Sequence, residues 1–185
     1  MLHIVYGASA SGKSAYAEKL AVSYKRGGRL LYIATMYPYK WNTNEMDPET
    51  KKRIMRHRDM RAEKGFDTVE CYRHVGQISA DREDVLLLEC MSNLLANEMY
   101  LPEDGEILSD VSHMITQEIV QLSSRVKELI VVTNHIFSDA DSTDYDDSTR
   151  KYIQNMAAIN CALAACAKTV TEVVCGIEIK LKETP

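Results

Sequence analysis

The segment Gly7-Ala8-Ser9-Ala10-Ser11-Gly12-Lys13-Ser14 fits G-x-x-x-x-G-K-[ST] and lies between the apolar run Leu2–Tyr6 and the helical pattern Ala15–Leu20. Strand, glycine-rich turn and helix in that order form a phosphate-binding loop. Backbone N–H groups must curl around a phosphate, and Gly12 allows the backbone angles and close approach that a Cβ would block. Lys13 is then placed to reach the β and γ phosphates, Ser14 to hold Mg²⁺, and the helix N-terminus to add its positive dipole end. A second constellation is Arg53, His57 and Arg61, at i, i+4 and i+8 of a predicted helix that opens on Asp47-Pro48-Glu49. Neighbouring cations favour a neutral, nucleophilic imidazole, and guanidinium groups suit a phosphate substrate. On spacing alone, the same pattern also describes a solvated basic face with an incidental histidine.

The elements that must position these groups follow from apolar patterning. Ala17, Leu20, Ala21 and Tyr24 recur at helical spacing, Arg26-Gly27-Gly28 stops that helix, and Leu30–Thr35 is a short strand. The resulting βαβ unit has parallel strands and a right-handed crossover, so Ala34-Thr35-Met36 reaches the sheet edge that carries the loop. Asp84–Cys90 reads as a buried central strand, and Glu89 at its end is the second Mg²⁺ partner, directly or through water. A surface carboxylate just past the strand is the other reading. Thr68–Tyr72 and Leu129–Asn134 are further strands, Gly105–Lys127 a long amphipathic helix, and Asn93 and Asn97 fall in a short polar helix or turn. The aromatic segment Tyr37–Asn44, with Trp41, either stacks on a ligand or packs on its own domain. Residues 139–147 are acidic; their D-x-D-x-x-D spacing lacks an EF-hand's glycine and final glutamate, so a mobile solvated loop is expected there. Ser148 is the predicted N-cap of the helix through Tyr152, Met156, Ile159 and Leu163, and Val170–Lys182 is strand material broken at Gly176. Five or six strands with helices between them give an α/β fold, three-layered and phosphate-loop NTPase-like, with a mostly parallel central sheet.

At 185 residues the chain is expected to form a single domain over 1–185. Its net charge of −5 argues against a general nucleic-acid binder, which needs a basic footprint. No apolar run approaches the ~20 residues of a membrane span and no signal-peptide core precedes Gly7, so a cytoplasmic protein is expected. The five cysteines, Cys71, Cys90, Cys161, Cys166 and Cys175, have no C-x-x-C spacing. They are expected to be small buried apolar residues rather than disulfide or zinc ligands.

Taken together, the Gly-rich opening, Tyr32-Ile33-Ala34-Thr35, Arg53-Ile54-x-x-His57-x-Asp59-x-Arg61, Val69-Glu70-Cys71, Leu87-Leu88-Glu89-Cys90, Val132-Thr133-Asn134 and Val174-Cys175-Gly176-Ile177 resemble one family. It is the bifunctional adenosylcobinamide kinase / adenosylcobinamide-phosphate guanylyltransferase family of cobalamin biosynthesis. The resemblance implies phosphoryl transfer from a nucleoside triphosphate, ATP or GTP, to adenosylcobinamide, a corrinoid, with Lys13, Ser14 and Mg²⁺ neutralising charge. It also implies GMP transfer from GTP through a guanylylated His57. By the same resemblance Ala34 to Met36, Arg58, Asp59, Met60, Arg61, Glu70 and Glu89 contact the guanine nucleotide, and the enzyme is a homotrimer. The chain departs from the family's T-N-E-V-G, since Thr133-Asn134 runs into His135-Ile136-Phe137. Of the family's Arg-Asp-x-x-Gly-Arg-x-Asn helix it keeps only Asn160. A small-molecule kinase without the transfer step, or a nucleotide-dependent regulatory protein, are the other functions the loop allows.

Overall fold

A computed structural model describes residues 1–39, 45–46, 48–101, 110–135 and 145–184. In chain order the elements are β1 (Leu2–Gly7), α1 (Lys13–Tyr24), β2 (Leu30–Ala34), α2 (Pro48–Ala62), β3 (Asp67–Glu70), β4 (Val85–Glu89), α3 (Met91–Tyr100), α4 (Ser112–Arg125), β5 (Glu128–Asn134), α5 (Asp147–Cys166), β6 (Thr169–Val174) and β7 (Ile177–Glu183). They form a seven-stranded sheet in the order β3-β2-β4-β5-β1-β6-β7, parallel except for the β6–β7 hairpin.

The central strands are apolar nearly throughout because helices cover both faces. Strand alternation sorts their side chains into two cores. Val5, Tyr32, Val85, Leu87, Ile130 and Val132 pack under Ala17 and Ala21 of α1. Ile4, Leu31, Ile33, Leu86, Leu88, Leu129 and Val131 pack under α3, α4 and α5, against residues such as Leu94, Ile115, Ile119 and Ile159. Leu87 and Leu88, neighbours in sequence on opposite faces, are both fully buried. Truncating either to alanine costs about 2–5 kcal/mol.

Several expectations are corrected. The strand count is seven, because Val170–Lys182 folds back at Cys175-Gly176 into two strands. The helix expected from Gly105 begins at Ser112, and residues 102–109 lie outside the described residues. Its free N–H groups at Val111 and Ser112 are capped from another helix, by Asn155 Oδ1 at 3.0 Å each. Asp146, not Ser148, caps α5, accepting from Thr149 N at 2.7 Å; the helix starts at Asp147, so Ser148 already lies within its first turn, and its hydroxyl bonds Tyr100 instead. The stretch around Asn93 and Asn97 is a ten-residue helix with Leu94, Leu95 and Met99 in the core. Cys161, Cys166 and Cys175 are exposed and only Cys71 and Cys90 are half-buried, because α5's outer face and the hairpin turn carry the other three. Trp41 and most of the acidic loop, with its calcium spacing, lie outside the described residues.

At the edge opposite the phosphate loop, His3 is 1 % exposed. Its Nε2 lies 2.8 Å from Glu128 Oε2, its Nδ1 2.8 Å from Thr169 Oγ1, and its ring stacks on Tyr24. Among the described residues no helix is long and apolar enough to cross a membrane.

Candidate active site

β1 delivers Gly7 to the sheet edge, and residues 8–12 turn into α1. The turn needs left-handed backbone at Ala10, φ 57°, and at Gly12, φ 93°. Glycine at position 7 has a different reason: a Cβ there would stand 2.6 Å from Val173 O and 2.7 Å from Ser11 Oγ. The loop leans on the far end of the chain, since Gly176 N donates to Ser11 O at 2.8 Å. Lys13 is buried with its ammonium folded across the loop, donating to Ala8 O at 3.0 Å. The loop is thereby shaped before any phosphate enters, which lowers the ordering cost of binding.

Ser14, in the first turn of α1, donates through Oγ to Glu89 Oε1 at 2.5 Å. The two meet because β4 pairs with β2 so that Glu89 lies opposite Ala34, at the strand ends that face the loop. Thr35, just beyond β2, is completely buried; its hydroxyl donates to Cys90 O at 2.8 Å and accepts from Cys90 N at 2.7 Å. That commits its side chain to joining the two strand ends. Asn97 of α3 reinforces the same junction, its amide donating to Thr35 O and Tyr72 O. Ala34 and Met36 are half-buried at this edge.

The predicted helix over His57 is α2. Of Arg53, His57 and Arg61, Arg61 has a described side chain; it is buried, with its guanidinium 3.7 Å from the centroid of the Tyr32 ring and its Nε without a hydrogen-bond partner. The side chains of His57 and Met60 lie outside the described residues. Arg58 and Asp59 are exposed. Arg58 reaches Glu70 Oε1 at 3.4 Å, an exposed pair that contributes little, about 0–1 kcal/mol. Glu70 also accepts from Tyr72 Oη at 3.0 Å, and Tyr72 packs edge-on against Tyr37, which packs on Tyr39. For the aromatic segment, the described part therefore packs on its own domain.

Sequence reasoning named Tyr32 and Asn97 without giving either a role at the site, and did not name Ser92. Tyr32 looks like one more apolar strand residue. Its phenol is nevertheless pushed well above the usual range, chiefly by burial and then by Glu89, so it stays a proton donor. Tyr72 is raised for similar reasons, burial first and Glu70 second. Ser92 gathers Asn134 Nδ2 at 2.6 Å and Cys90 Sγ at 2.9 Å, closing the edge between β4 and β5. No local pattern announces such a junction.

A phosphate loop between β1 and α1 at the strand ends of a three-layer, mostly parallel sheet, with a strand-end carboxylate on the loop's serine, defines the class: a phosphate-loop nucleotide-binding protein. Within that class, the chain belongs to the cobinamide kinase / cobinamide phosphate guanyltransferase family, whose sequence pattern matches residues 3–181. It is thus a transferase of a family that serves cobalamin biosynthesis. No curated protein matches the chain in a sequence comparison. Among solved structures, the flagellar accessory protein FlaH from Methanocaldococcus jannaschii is similar at TM-score 0.50 and 12% identity, over 99% of this chain and 78% of that one. The P4 protein from bacteriophage phi6 in complex with ADP gives TM-score 0.41 at 11% identity, over 96% of this chain and 52% of that one. At such identity the FlaH likeness speaks to the fold alone.

Proposed function

We propose that this chain phosphorylates adenosylcobinamide and then transfers GMP from GTP to the product through His57. The observation that carries the reading is the 2.5 Å contact between Ser14 and Glu89 at the mouth of the loop, in a chain whose family match is nearly complete. The donor set fits Mg²⁺: a hydroxyl and a carboxylate, all oxygen. Ser14 and Glu89 would hold it, and it would supply charge neutralisation on the phosphates. Lys13 swings from Ala8 O to the β and γ phosphates, and the loop N–H groups cradle them. The γ-phosphoryl group passes to the acceptor hydroxyl: the bond from the γ-phosphorus to the β,γ-bridging oxygen breaks, nucleoside diphosphate leaves, and the hydroxyl loses its proton as the new O–P bond forms.

In the second reaction a neutral His57 ring nitrogen attacks the α-phosphorus of GTP and pyrophosphate leaves. The phosphate of adenosylcobinamide phosphate then displaces the histidine and takes the GMP. Covalent transfer divides one difficult displacement into two easier ones. Arg58, Glu70 and Ala34 to Met36 line the neighbouring strand ends, which suits a role in holding the guanine nucleotide. We take the chain to be a single domain, as its length suggests, and the active form to be a homotrimer, as the resemblance implies.

The test uses the purified protein with Mg²⁺ and GTP labelled at the α-phosphorus. Acid-labile label is expected on the wild type and absent from His57→Asn. Unlabelled wild type that still transfers a γ-phosphoryl group would leave a kinase without the guanylyl step.

A further inference from the structure

The turn that follows β3 gathers three metal-ligating side chains that the proposed chemistry does not use. His74 leads into the tight turn Val75–Gln77, Glu98 comes from α3 and Glu118 from the middle of α4. One ligand atom of each lies within 4.8 Å of the other two. His74 Nδ1 stands 3.8 Å from Glu118 Oε1 and 4.0 Å from Glu98 Oε1, too far for hydrogen bonds. Donors that share a tetrahedral Zn²⁺ at about 2.0–2.1 Å stand roughly 3.4 Å apart, so each of the histidine's gaps is wider by about half an ångström. Small rotations of the His74 and Glu118 side chains, 36 % and 19 % exposed, would close them.

Two features hold the carboxylates in place. Glu98 is completely buried and each of its oxygens has one partner: Oε1 accepts from His74 N at 2.6 Å and Oε2 from Arg73 Nε at 3.2 Å. A carboxylate oxygen has two lone pairs, so each keeps one for a cation. Glu118 is admitted by a glycine. A Cβ at position 76 would stand 3.0 Å from Glu118 Cγ, and Gly76 N donates to Glu118 Oε2 at 3.3 Å, which leaves Oε1 toward the histidine. Charge at the triad is unbalanced. Among the described residues Arg73 is the one arginine or lysine paired with either carboxylate, while Arg125 donates to Gly76 O at 2.6 Å. Two carboxylates this close repel, and a dication between them reverses the sign of that interaction.

We propose that His74, Glu98 and Glu118 bind one divalent transition-metal ion, with Zn²⁺ the best match, apart from the nucleotide's own cation at Ser14 and Glu89. Imidazole beside carboxylates suits Zn²⁺, whereas Mg²⁺ and Ca²⁺ take oxygen donors. The ion clips the turn after β3 to α3 and α4. Its hold extends to the strand ends, because Asn97, next to Glu98, donates to Thr35 O and Tyr72 O.

The test titrates metal-stripped protein with Zn²⁺ by calorimetry, in excess Mg²⁺ to fill oxygen sites and with the exposed Cys161, Cys166 and Cys175 alkylated. One Zn²⁺ per chain is expected, together with a rise in melting temperature. His74→Asn and Glu118→Gln each remove one ligand; asparagine tolerates the left-handed backbone of position 74, φ 52°. Both should melt like the wild type without metal and bind Zn²⁺ about tenfold or more weakly. Co²⁺ in place of Zn²⁺ should give a visible spectrum that either substitution changes. Glu98→Gln is the poorer probe, since it also takes the charge from Arg73's partner. A wild type that binds no stoichiometric Zn²⁺ would overturn the proposal. Wild-type affinity in either variant would do the same, placing the ion elsewhere.

Discussion

The two helices that carry the proposed chemistry are held in opposite ways. α1 is built into the core: Lys13, Ala17 and Ala21 are buried, and its first turn is tied to β4 through Ser14 and Glu89. Among the described side chains of α2, none belongs to either hydrophobic cluster and only Arg61 is buried, while Met55 is 55 % exposed. A phosphate loop must present a preformed cradle, so its helix is fixed by apolar contact. A helix proposed to deliver one nucleophile can be surface-mounted, and among its described side chains the buried anchor is the Arg61 cation–π contact, with the exposed Arg58–Glu70 pair beside it.

The largest effect that would break this contrast is expected at Gly7→Ala. The new Cβ meets backbone oxygen and Ser11, so both activities should vanish, with a stability loss of about 1–3 kcal/mol in urea denaturation. If GMP transfer survives, the two reactions do not share the loop. Next comes His57→Asn, which should lower GMP transfer by roughly a thousandfold or more and leave phosphoryl transfer within about twofold. Parallel loss of both would make α2 part of the cradle.

Arg61→Met sharpens the comparison further. It removes the cation from the Tyr32 ring at a cost of about 1–2 kcal/mol, and hydrogen exchange should quicken in α2 well before α1. Equal acceleration in both helices would refute Arg61 as the anchor of α2. The smallest effect concerns the far edge. Burial, aided by the N-terminal amine and Lys168, holds His3 below its ordinary 6.5 although Glu128 pulls the other way. Above that value both folded and unfolded chains hold neutral imidazole and the pair contributes fully. Below it the unfolded chain takes up a proton that the folded one resists, so stability falls by at most about 1.4 kcal/mol per pH unit, levelling off at the folded pKa. Melting curves across that range should show this slope in the wild type and lose it in His3→Gln.

What was legible in the sequence was local. The loop motif, the apolar runs of β1, β2, β4 and β5 and the helical spacing of α1 and α5 each sit in one short window, so the α/β class and the βαβ start could be read directly. That Ser14 and Glu89 touch follows from strand-end logic; that they bind a cation remains the proposal above. The junctions were not legible, because each joins residues far apart: Arg61 on Tyr32, Asn155 capping α4, Asn97 bridging Thr35 and Tyr72. The hairpin at Cys175-Gly176 was read as one broken strand because an apolar run interrupted by glycine is compatible with either a bulge or a turn.

The reliance of the phosphate loop on Val173 and Gly176 has a consequence for how the protein is made. Residues 7–14 leave the ribosome well before the β6–β7 hairpin whose backbone walls them, and β1 pairs with β5 and β6, which also come later. During synthesis the motif is complete long before the site exists. A product that stops short of Val173 would carry every residue of the nucleotide signature and still lack the Val173 and Gly176 backbone that the loop leans on.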